Sequence, residues 1–112
     1  MVQLSYFILF AALWSTGNGI LHNFFVLKKG LPYDRELIRL LIDGHILIFA
    51  GIFYALTFKG IKQGEALAYW IAIGVSIFLL GYCALIFKLI PSIGMIGVNL
   101  IALIWLVILK FK

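Results

Sequence analysis

Four long apolar runs separated by three short polar interruptions account for almost the whole chain. The helices they predict cover about residues 2–27, 32–58, 66–87 and 92–109, and the interruptions read KKGLPYDRE, KGIKQGE and KLIPS. A hydrocarbon core roughly 30 Å thick takes about 20 residues at a rise of about 1.5 Å each, so every run has the length of one crossing. Connections this short force consecutive helices to be antiparallel. The pattern predicts an all-α fold, an integral membrane four-helix bundle with up-down-up-down order, occupying residues 1–112 as one transmembrane domain without repeat or linker.

Local signals place the helix ends. Pro32 suits the first position of the second helix, with Asp34 and Glu36 in its first turn opposite the positive end of the dipole. Pro91 suits the break between the third and fourth helices. The first run ends in small residues as a signal peptide does but lacks a basic leader, so it is expected to be a retained helix.

Composition supports this reading. Of 112 residues 65% are hydrophobic and 12% charged, with a mean hydropathy of +1.19, whereas soluble domains carry about 25% charged residues. The net charge of +5 comes from lysines and arginines in the connections and at the C-terminal end. That distribution flanks membrane spans and forms no basic face, so the lipid bilayer rather than nucleic acid is the expected partner. One membrane face carries Lys59, Lys62, Lys110 and Lys112, the other Lys28, Lys29, Arg35, Arg39 and Lys88. Four against five defines no orientation by the positive-inside rule. The single cysteine, Cys83, excludes an internal disulfide and a multi-cysteine metal site.

Ionisable and amide groups then stand out against the apolar background. Asn18 and His22 near the end of the first helix, and Arg39, Asp43 and His45 near the start of the second, all fall in one half of the membrane. Arg39 and Asp43 are four residues apart and share a stripe, which makes an ion pair within the helix the expected arrangement. Ser15, Asn18 and His22 line a second stripe, with Gly19 beside it, that is expected to face Asp43 across the first helix pair. His45 is rotated by about 200° from Asp43 and points away from it, toward lipid, another subunit or a ligand. Asn99 on the fourth helix is a further candidate for an interface or a ligand. In the third helix Gly74 and Gly81 form one small-residue stripe, and Ala72, Ser76 and Cys83 another, either of which permits close approach. Tyr6, Tyr69, Trp70 and Trp105 near one interface and Tyr33 near the other fit an aromatic belt.

Three functional readings follow. Small size, two small-residue faces and the outward His45 point to a non-enzymatic subunit of a membrane complex or a homo-oligomer with a one-sided polar intramembrane site at Asn18, His22, Arg39 and Asp43. Intramembrane ionisable groups also fit a small carrier or channel in which Asp43, His22 and Arg39 handle protons or a polar solute. The third reading is a haem between His22 and His45, or a metal on His22 with Asp43; neither pair is a full ligand set, so the cofactor stays open. An intramembrane hydrolase is disfavoured, because Ser15 lies about 10 Å from His22 along one helix.

Overall fold

The computed structural model describes residues 2–87 and 93–111. Among these it contains four helices and no strand: α1 (Val2–Lys28), α2 (Arg35–Lys62), α3 (Ala66–Ile86) and α4 (Ile93–Lys110). Each is long and apolar enough to cross a membrane. Lys88, Pro91, Ser92 and Lys112, including the expected break at Pro91, lie outside the described residues.

Hydrogen bonds refine the helix ends. The second helix begins at Arg35 rather than Pro32, because Asp34 is its N-cap and accepts a 3.1 Å bond from the Leu37 amide. That bond satisfies one of the donors a helix start leaves without an internal partner. α2 also runs past Phe58 to Lys62. Gly30 (φ 66°) and Gly64 (φ 77°) take left-handed conformations just beyond α1 and α2, where a side chain would strain the turn.

Residue pairs across the bundle fix its topology. Ser15 meets Leu47 and His22 meets Leu40, so α1 and α2 are antiparallel. Tyr54 meets Ser76 across α2 and α3, and Trp70 stacks edge-on to Phe111 beyond the end of α4. Phe7 packs on Trp105 where α4 closes back on α1. The result is a ring in which each helix packs mainly on its two sequence or closure neighbours, while the diagonal pair α2 and α4 meets through the Tyr54 and Asn99 side chains. The bundle is 50 Å long.

The α1–α2 seam is the most extensive interface, and glycine makes it so. A methyl at Gly19 would stand 2.5 Å from the Gly44 carbonyl oxygen. Methyls at Gly44 and Gly51 would collide with Asn23 and with Thr16, respectively. Backbones approach this closely only where one side has no Cβ. The expected Gly74 and Gly81 stripe does not serve this purpose, because added methyls there meet nothing. Ala72, Ser76 and Cys83, by contrast, are buried in the core.

Burial is inverted relative to a water-soluble bundle. Leu56 is 72% and Leu85 88% exposed, while Ser5, Ser15, Thr57, Ser76 and Asn99 are buried. An outer surface of that kind suits lipid, and the buried polar groups satisfy one another or the backbone. At the face where α2 and α4 end, Lys62 lies 5.6 Å from the Tyr6 ring centroid and Lys110 5.6 Å from that of Trp70. Their stems cover apolar surface while their ammonium groups stay at the boundary. Tyr69 departs from the expected belt, being only 4% exposed.

Candidate functional site

All four helices line a cavity of about 410 Å3, open on one side, in the half of the bundle where α1 ends and α2 begins. Asn18 and His22 reach it from α1, Asp43 from α2, and Tyr82 and Cys83 from α3. Trp14, Leu47 and Met95 supply apolar walls. Three of the expected site residues, Asn18, His22 and Asp43, are therefore brought together, and all are half-buried.

Their hydrogen bonds determine what each still offers. His22 Nε2 lies 2.8 Å from the Leu40 carbonyl oxygen, an acceptor only, so this nitrogen carries a proton and donates to it. The Asn18 amide nitrogen donates to the Trp14 carbonyl of its own helix at 2.7 Å, which leaves Oδ1 as an acceptor. Ser15 donates to the Leu47 carbonyl at 2.7 Å and is buried in the seam, so its hydroxyl is committed to helix pairing. Tyr82 lines the same cavity from α3, across from Asp43 on α2.

Arg39 is not part of this cluster. Its guanidinium pairs with Glu36 at 2.6 Å, with both side chains exposed, instead of with Asp43. Both partners share its stripe, but a long cationic side chain near a helix start extends toward the polar boundary, and Glu36 lies on that side while Asp43 lies deeper. Asp43 has no lysine or arginine partner among the described residues.

His45 faces elsewhere. It is exposed on the outer surface and absent from the cavity lining. Its Nδ1 donates to the Leu41 carbonyl at 2.7 Å, and the Asn23 amide nitrogen packs 3.3 Å from the same atom. His45 Nε2 has no hydrogen-bond partner among the described residues. Asn23 Oδ1 is buried without a partner beside Gly44. His22 and His45 thus sit on different sides of the α1–α2 seam, and no group of three His, Cys, Asp or Glu that could hold a metal ion occurs among the described residues.

Asn99 lies inside the bundle. It is 1% exposed, accepts a 2.5 Å hydrogen bond from Tyr54 at Oδ1 and donates to the Met95 carbonyl at 2.8 Å. Since the Tyr54 proton goes to Asn99, Ser76 donates to Tyr54 across 2.6 Å. The chain from Ser76 through Tyr54 and Asn99 to Met95 joins α2, α3 and α4. Tyr54 and Asn23 carry no sequence signal of these roles, since their partners are 22 or more residues away.

Fold and cavity define a class, a four-helix bundle whose helices are all long and apolar enough to cross a membrane, with a cavity lined in part by Asn18, His22 and Asp43. No protein-family model matches the chain, and no curated protein or solved structure matches it either.

Proposed function

We propose that the chain is a small, non-enzymatic integral membrane protein that takes a polar solute or a proton into the four-helix cavity from one face of the membrane. The observation that carries this reading is the convergence of Asn18, His22, Asp43 and Tyr82 on one cavity of about 410 Å3 inside a bundle whose outer surface is apolar. A carboxylate inside a spanning helix is costly, reaching about 2.5–3.5 kcal/mol at the centre and less toward the boundary where Asp43 sits, which favours a functional role for Asp43. Catalysis gains no support from the geometry, because the Ser15 hydroxyl is engaged with Leu47 and neither His22 nor Asp43 is its partner.

The test is flux into proteoliposomes loaded with a pH-sensitive dye and, separately, efflux of a trapped primary ammonium ion. Wild-type protein is expected to carry one or both, and Asp43→Asn and Gly94→Leu to abolish it. The second change fills the cavity, since even a methyl at Gly94 stands 3.1 Å from the Trp14 ring. Flux that survives both substitutions unchanged overturns the proposal.

Self-association, or assembly with other membrane subunits, is supported by a separate observation. His45 is exposed about 15 Å along α2, at a depth where lipid chains offer its Nε2 no hydrogen-bond partner. A neighbouring protein surface supplies what lipid does not.

A further inference from the structure

We infer that the solute is a small organic monocation bearing N–H donors, a protonated amine, with its nitrogen on the Asp43 carboxylate and its apolar part against the cavity wall. The inference rests on the cavity being a solute site, as proposed above, and names the class of solute.

Charge gives the first argument. Asp43 is the cavity's one formal charge among the described residues, because Arg39 is turned outward to Glu36. A lone carboxylate in low-dielectric surroundings repels anions and attracts a cation strongly. The second argument is the hydrogen-bond inventory. His22 has spent its Nε2–H on Leu40, Asn18 has spent one of its two amide hydrogens on Trp14 and keeps Oδ1, Asp43 only accepts, and the Tyr82 hydroxyl and Cys83 thiol can each donate or accept. The carboxylate and the free Asn18 Oδ1 suit a guest that brings donors, and an ammonium carries up to three donors and no acceptor.

Two further features separate an organic cation from a metal ion. Metal sites are built from several His, Cys, Asp or Glu ligands, and no group of three occurs among the described residues. The remaining lining, with Trp14, Leu47 and Met95, is apolar, and the volume of about 410 Å3 exceeds what a bare ion fills. Pockets for small organic ligands span roughly 300–1,000 Å3. Trp14 and the Tyr82 ring add electron-rich faces that favour a cation over its neutral analogue.

The experiment measures binding to the full-length protein in lipid nanodiscs through Trp14 emission, in a background carrying Trp70→Phe and Trp105→Phe. Three probes share one frame: 2-phenylethylammonium, the neutral 2-phenylethanol and the anionic 3-phenylpropionate. The ammonium is expected to bind at least about tenfold more tightly than the alcohol, with no saturable binding of the carboxylate. Asp43→Asn is expected to bring the ammonium down to the level of the alcohol, and Asp43→Glu to keep the preference. Equal binding of alcohol and ammonium, or a preference that survives Asp43→Asn in a protein that still elutes as the folded form, overturns the cation assignment while leaving the cavity a solute site. Binding of none of the three overturns both.

Discussion

Gly19→Ala is the most direct probe of what holds the bundle together. The added methyl would lie 2.5 Å from the Gly44 carbonyl oxygen and 2.8 Å from Ile48 Cγ1, against ordinary contact from 3.4 Å outward. The first of these atoms belongs to the backbone, so relief requires α1 and α2 to move apart by about 0.9 Å or to tilt. Overpacking of this kind costs about 1–3 kcal/mol, and alanine's better helix propensity returns up to about 1 kcal/mol. Separation would also stretch the Ser15–Leu47 and His22–Leu40 bonds, now 2.7 and 2.8 Å. Interhelical bonds of this type average about 0.6 kcal/mol each. The expected net loss is therefore about 1–3 kcal/mol. Gly74→Ala is the matched control, because its methyl meets nothing and only the propensity gain applies. Unfolding of both variants in mixed micelles, titrated with a denaturing detergent and followed by circular dichroism, gives the difference. Equal stability of the two would refute the close-approach argument.

Two other substitutions test separate parts of the structure. Tyr54→Phe removes the hydroxyl joining Ser76 to Asn99; leaving buried polar atoms unpaired is expected to cost about 1–3 kcal/mol in the same unfolding assay, and an unchanged midpoint would count against the network. His45→Ala is expected to convert an oligomer into monomers in sedimentation velocity of detergent-solubilised protein without changing helix content, and a wild-type protein that is monomeric in native-like nanodiscs would remove the interface reading.

The fold was legible because spanning length and apolar content are properties of a run of residues and need no knowledge of neighbours. Four helices, their order and their antiparallel pairing follow from run lengths and short connections alone. Which faces turn inward was only partly legible. Gly44 with Gly51 and Gly74 with Gly81 have the same seven-residue spacing, yet the first pair lies in the tightest seam and the second on an open face. Spacing places residues on a common stripe without saying what the stripe meets. The same limit explains Arg39, for which Glu36 and Asp43 are both within reach along the helix. The outcome depends on the depth of each partner relative to the polar boundary. Pro32 and Asp34 are likewise competing start signals two residues apart, and the Asp34 bond to the Leu37 amide places the start.

The cavity and the polar chain beneath it have a common origin in how the helices pack. Glycine draws α1 against α2, whereas α4 meets α1 over the smallest interface in the ring. A ring closed tightly on one side and loosely on the other leaves space between its members, here where Trp14 faces Gly94. Met95 borders that space, and its carbonyl accepts from Asn99 at the end of the Ser76–Tyr54–Asn99 chain. Three helices are thus tied together by fully paired polar groups next to the cavity, away from the glycine seam. Such groups gain most where water is absent, because an unpaired alternative is costly there. The polar chain therefore ties α2, α3 and α4 together beside the cavity, on the side away from the glycine seam.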